Sequence, residues 1–177
     1  MAAGGVGGDD ADVNSATAPT PPPARVRAVR ALPLFVGGCL LVGATAGLAT
    51  VEGVRTWYPT VVKPSWTPPD AVFGPVWTVL YVAMGFAAWR VWARGPSPRV
   101  ARALTLFGVQ LGLNAAWSPI FFALHRPDVA LAVIVALDVA LAGTILAFRR
   151  VDRAAAIVLV PYLLWCLFAT ALNAAIA

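Results

Sequence analysis

Five of the seven tryptophans of this chain, Trp57, Trp66, Trp77, Trp89 and Trp92, fall within 36 residues. Prolines are interleaved with the first three, in Trp57-Tyr58-Pro59, Pro64-Ser65-Trp66-Thr67-Pro68-Pro69 and Phe73-Gly74-Pro75-Val76-Trp77, before an apolar run carries on through Tyr81. Indoles and phenols present flat, polarisable faces, and each stacking contact contributes about 0.5–1.5 kcal/mol beyond area burial. Proline fixes its own φ and stiffens the connection. The stretch therefore looks like an aromatic lid built over a hydrophobic pocket. Conventional catalysis has no visible basis: the chain lacks an evident carboxylate pair, Ser/His/Asp set, metal cluster or phosphate loop.

These residues must be positioned by elements that the composition already restricts. Of 177 residues, 60% are hydrophobic and 12% charged, against about 25% charged in ordinary soluble domains. Five nearly uncharged segments, about Leu32 to Val51, Val72 to Val91, Arg102 to Phe122, Val129 to Phe148 and Ala154 to Ile176, are each long enough to cross a hydrocarbon core of about 30 Å as a helix. The expected fold class is all-α, an integral membrane bundle of five transmembrane helices. Residues 1–31, rich in Gly, Ala, Asp and Pro, read as a disordered tail. Residues 32–177 form the membrane domain, with a long Trp/Pro-rich loop at about 53–71. The apolar run after Arg25, Arg27 and Arg30 starts late and is as long as a full span, so a retained helix fits it better than a signal peptide.

The net charge of +5 has a topological explanation. Taking the connections alternately, one side holds Arg25, Arg27, Arg30, Arg90, Arg94, Arg99, Arg102, Arg149, Arg150 and Arg153, and the other only Arg55, Lys63 and Arg126. This bias predicts a multi-pass protein of the cytoplasmic membrane with a cytoplasmic N-terminus and with the first loop and C-terminus outside. Membrane lipid is the expected partner of the charge, and nucleic acid is not.

Helical periodicity sorts the remaining candidates. Phe73, Trp77, Tyr81, Met84 and Ala88 share one stripe of the second span, while Trp89 and Trp92 sit beside Arg90 and Arg94 as headgroup anchors. In the third span, Gly108, Gly112 and Ala116 form a small-residue seam that lets helix backbones approach closely; it suits a homodimer contact or a neighbouring helix of the same chain. The opposite face holds Gln110, Asn114, Trp117 and Phe121. Asp138 lies mid-span in the fourth helix, where a charge is costly, so it is expected to face the interior as a ligand contact, a proton-handling group or a structural bond. In the fifth span, Pro161 should bend the helix, and Tyr162, Trp165, Ala169 and Asn173 share a face that can meet the second span across a cavity. Cys39 and Cys166 read as buried structural thiols, and His125 as an interfacial loop residue. No metal ligand set is expected.

The stretches Trp57-Tyr58, Lys63-Pro64-Ser65-Trp66-Thr67-Pro68-Pro69, Phe73-Gly74-Pro75-Val76-Trp77-Thr78-Val79-Leu80-Tyr81, Met84-Gly85, Leu113-Asn114-Ala115-Ala116-Trp117-Ser118, Asp138, Pro161-Tyr162-Leu163-Leu164-Trp165 and Phe168-Ala169-Thr170 occur in this order. Together they resemble the TspO or translocator protein family, also called the peripheral-type benzodiazepine receptor family. The resemblance implies a dimeric five-helix bundle whose pocket, under the first loop, takes porphyrins such as protoporphyrin or haem and benzodiazepine-type ligands. It implies a receptor or transporter with porphyrin as ligand and no required cofactor, or alternatively light- and oxygen-dependent porphyrin degradation. Trp77 and Trp165 match the tryptophans tied to that degradation. Tyr81, Asn114, Trp117 and Ala169 match further pocket positions, and Trp57, Trp66, Pro68 and Pro69 match the loop. Propionate groups would want Arg55 and Lys63 at the mouth. Two departures stand out. Ala71 replaces a tryptophan common two residues after the Pro-Pro pair, and Leu172 to Ala177 lacks the tyrosine and basic residue of the cholesterol pattern near the C-terminus of animal members. A membrane scaffold with no small-molecule ligand is the third reading.

Overall fold

The structure, a computed structural model, describes residues 24–177, with side chains from residue 29 onward. The part of the expected tail that precedes residue 24 lies outside the described residues; residues 24–31 are already helical. Among the described residues the regular secondary structure is all helical: α1 Ala24–Leu48, α2 Val51–Thr56, α3 Asp70–Trp92, α4 Pro98–Ser118, α5 Pro127–Arg149, α6 Arg153–Val158 and α7 Val160–Ala174, with a 3₁₀ turn at Tyr58–Thr60 and a π turn at Pro119–Ala123.

Five spans emerge, Val29–Leu48, Asp70–Trp92, Pro98–Ala123, Pro127–Arg149 and Arg153–Ala174. The third runs through the π turn. The fifth joins α6 and α7 across a break at Leu159. Pro161 explains the break, because it has no N–H to offer the Ile157 carbonyl and its ring crowds that turn. Leu34, Val79, Val139 and Leu164 are more than three-fifths exposed, an outward apolar surface that a hydrocarbon solvent accommodates and water does not.

In lipid, helices associate through packing more than through a hydrophobic drive, and small residues set the closest approaches here. α1 packs along α3, α4 along α5, α7 against α5, and α6 bridges α3 and α5. A Cβ on Gly85 would lie 2.5 Å from Val36 Cα, and one on Gly43 would collide with the Tyr81 ring. Met84, Ala87, Ala88, Ile134, Leu137, Leu141, Phe148 and Tyr162 fill the core and are at most 1% exposed. The Gly108 and Gly112 seam packs against nothing among the described residues: a methyl group at either would meet no heavy atom within 4 Å.

Asp152 ties the arginine-rich end together. Its carboxylate, 2% exposed, pairs with Arg90 at 3.0 Å and Arg94 at 2.6 Å, and its Oδ1 accepts from the Ala155 N–H at 3.0 Å, capping α6. Burial pushes this carboxyl up. The Ala155 N–H and the guanidinium groups of Arg94 and Arg90 outweigh that and hold it at about 2.

Candidate functional site

A cavity of about 710 Å³ opens at the lid end of the bundle, within the 300–1,000 Å³ typical of small-molecule pockets. Each wall follows from a helical stripe. α3 turns Phe73, Trp77 and Tyr81 inward, α4 contributes Asn114 and Trp117, and α7 contributes Trp165, Ala169 and Asn173. Beside Leu40, α1 gives small groups here, Gly43, Ala44, Ala46 and Gly47. They leave the volume open where larger side chains would fill it.

The wall is aromatic and cross-braced. Trp165 meets Phe73 edge-on at 5.8 Å, Trp77 lies 5.8 Å from Tyr81 and 6.2 Å from Tyr162, and Trp117 stacks on Phe121 at 5.4 Å. A polar chain runs inward from the cavity beneath these rings. Tyr81 Oη donates to Asn114 Oδ1 at 2.5 Å, Asn114 Nδ2 donates to Tyr162 Oη at 3.0 Å, and Tyr162 Oη donates to Gln110 Oε1 at 3.0 Å. Trp117 Nε1 donates to Asn173 Oδ1 at 3.1 Å, and Asn173 Nδ2 to the Pro127 carbonyl at 2.9 Å. The side-chain amides of the wall are thus engaged with protein groups, which fixes their orientation.

The lid is built by α2 and the 3₁₀ turn. Gly53 lies so close to the Phe122 carbonyl in the π turn that a Cβ there would overlap the oxygen. π turns widen a helix by one residue and often occur at functional sites; here the widened turn docks the lid. Tyr58 is buried and lines the cavity. Lys63 Nζ donates to the Tyr58 carbonyl at 3.1 Å and lies 4.1 Å above the Tyr58 ring, so it fastens the lid instead of facing the cavity. Arg55 and Asp70 both line the mouth.

Six of the nine residues expected to bind a ligand, Trp77, Tyr81, Asn114, Trp117, Trp165 and Ala169, come together on this cavity. Trp57, Trp66 and Asp138 lie off its lining. Trp57 is drawn outward by stacking on His125 at 4.6 Å and by an edge contact with Phe121. Trp66 is 50% exposed and leans edge-on against Phe168. Asp138 is engaged on the flank of α7, its Oδ2 2.7 Å from Thr170 Oγ1. Sequence reasoning did not single out Gly53, Phe122 or Asp152; for Asp152, an acidic residue just before a helix start was an available signal. Among the described residues no group of three His, Cys, Asp or Glu could hold a metal ion.

The fold and cavity define a multi-pass helical membrane protein with an aromatic-walled chamber under a short lid. The TspO/MBR family profile matches residues 35–177. The tryptophan-rich protein TspO of Chlorobaculum tepidum is 43% identical over 143 residues, covering 80% of this chain and 90% of its own. That of Archaeoglobus fulgidus is 42% identical over 137 residues, 77% and 88% of the two chains, and the human translocator protein is 44% identical over 124 residues, 69% and 73%. The chain belongs to the TspO/MBR family.

Proposed function

We propose that the cavity binds flat, amphipathic tetrapyrroles such as protoporphyrin or haem, and benzodiazepine-type ligands, so that the protein acts as a membrane receptor or transporter for them. The observation that carries this reading is the chamber of about 710 Å³ with Trp77, Tyr81, Trp117 and Trp165 on its walls. Ring stacking on these faces supplies attraction without demanding polar partners from a ligand that has few. Arg55 at the mouth is the cation available to a ligand carboxylate, and Asp70 on the same rim steers that carboxylate toward Arg55. The test is a fluorescence-quenching titration of the protein in lipid with protoporphyrin. Saturable quenching that weakens in the Trp77→Phe/Trp165→Phe variant supports the assignment; an unchanged titration removes it.

A second reading, light- and oxygen-dependent porphyrin degradation, draws on the placement of both Trp77 and Trp165 on the cavity lining. Porphyrin absorbance followed in light and dark separates the two. Equal bleaching with and without protein leaves binding alone. The scaffold reading, which needs no chamber, gains nothing from a wall of this size.

Two further features belong to the same proposal. The open Gly108, Gly112 and Ala116 seam is the contact of a homodimer, because close backbone approach is what such seams permit in lipid. The arginine-rich end faces the cytoplasm across the cell membrane, with the lid outside.

A further inference from the structure

Asp138 sits ten residues after Asp128 and eleven before Arg149 on α5, so about 15 Å of apolar helix separates it from either charged neighbour at 1.5 Å per residue. The elements packed against α5 are α4, α6, α7 and the π turn. Their ionisable side chains are Arg99 and Arg102 near the start of α4, Arg153 at the first residue of α6, and the uncharged Tyr162 phenol and Cys166 thiol on α7. The ion pairs among the described residues join Arg90 and Arg94 to Asp152, and Arg126 to Asp128. Asp138 is in none of them. An unpaired carboxylate at this depth costs about 2.5–3.5 kcal/mol even on lenient insertion scales.

Thr170 locates the proton. Its Oγ1 is 2.7 Å from Asp138 Oδ2 and 3.0 Å from the Cys166 carbonyl oxygen, yet a hydroxyl has one hydrogen to give. A helical threonine commonly gives it to the carbonyl four residues back, which here is that of Cys166. The shorter contact to Oδ2 then has a hydrogen between its two oxygens only if the carboxyl brings one. Oδ1 points the same way: it is buried without a hydrogen-bond partner, which is tolerable for the carbonyl oxygen of a neutral acid and expensive for half of a carboxylate.

We propose that Asp138 is a proton-binding site within the membrane span, a neutral carboxylic acid that donates from Oδ2 to Thr170 Oγ1, which donates in turn to the Cys166 carbonyl. The ligand is the proton itself. On ionisation the first bond must reverse, Thr170 turns its hydrogen to the carboxylate, and the Cys166 carbonyl loses its side-chain donor. α7 carries Trp165 and Ala169 to the cavity on its adjoining face, so the site places a titratable group beside the cavity wall without lining it.

Infrared difference spectra of the full chain in lipid test this directly. Near neutral pH, wild type minus Asp138→Asn should show a protonated carboxyl C=O stretch that moves on D₂O exchange and on ¹³C labelling of aspartate side chains. Carboxylate stretches alone in that difference would overturn the proposal. Thr170→Val keeps the acid and removes its acceptor, so the same band should persist and shift to higher frequency. A band that does not move in Thr170→Val would overturn the assigned bond, whether or not Asp138→Asn folds.

Discussion

Trp165 on α7 and Phe73 on α3 meet edge-on with ring centroids 5.8 Å apart, although 92 positions separate them in the chain. This contact closes one side of the cavity by joining the second and fifth spans, and the break at Leu159 lets α7 take the direction that brings the indole there.

Gly53→Ala should loosen the lid. The added methyl would overlap the Phe122 carbonyl, a backbone atom with no rotamer to escape by, and overpacking of this kind costs about 1–3 kcal/mol. Faster proteolysis of the 51–69 segment at unchanged helix content is the expected result.

Tyr162→Phe should cost more than Tyr81→Phe. The Tyr162 hydroxyl serves both Asn114 and Gln110, and Gln110 Nε2 already has no partner. Removing the hydroxyl leaves two more buried polar groups unsatisfied, at about 1–3 kcal/mol each. Tyr81→Phe removes one bond. Thermal unfolding in one detergent, with both variants side by side, ranks them.

Asp152 carries a pH dependence whose sign follows from its lowered pKa. Its contribution is complete above the ordinary carboxylate range near 3.8 and is lost as pH falls through about 2. Asp152→Ala removes the α6 cap, worth about 1 kcal/mol, together with both ion pairs. Asp152→Asn retains a capping oxygen and should be the milder change. Melting temperatures from pH 7 down to pH 2 should converge for wild type and Asp152→Asn at the acid end.

Gly112→Leu should separate the proposed homodimer contact from the fold. The glycine faces open space in the protomer, so the leucine should change protomer stability by no more than about 0.5 kcal/mol while blocking close backbone approach. Native mass spectrometry from lipid should shift from dimer to monomer.

The spans were legible because lipid demands about twenty apolar residues in sequence, and the wall residues Trp77, Tyr81, Asn114 and Trp165 because helical period places them on inward stripes. Trp57 and Trp66 were not, since a loop has no period to say which way a ring turns; His125 and Phe168 decided that. The pairing of Asp152 with Arg90 and Arg94 crosses 62 and 58 positions, beyond any local pattern. Pro161 announced a break in the fifth span, and the chain breaks two residues earlier, at Leu159, where the missing N–H is felt.

The central claim, that the chamber itself is the binding site, is tested most directly by filling it. Ala169 lines the cavity at 6% exposure, and Ala169→Phe puts a ring into the space a ligand would use. For a variant whose melting confirms an intact fold, protoporphyrin affinity should fall about tenfold or more, a loss of roughly 1.4 kcal/mol. Affinity equal to wild type in that folded variant would contradict the account.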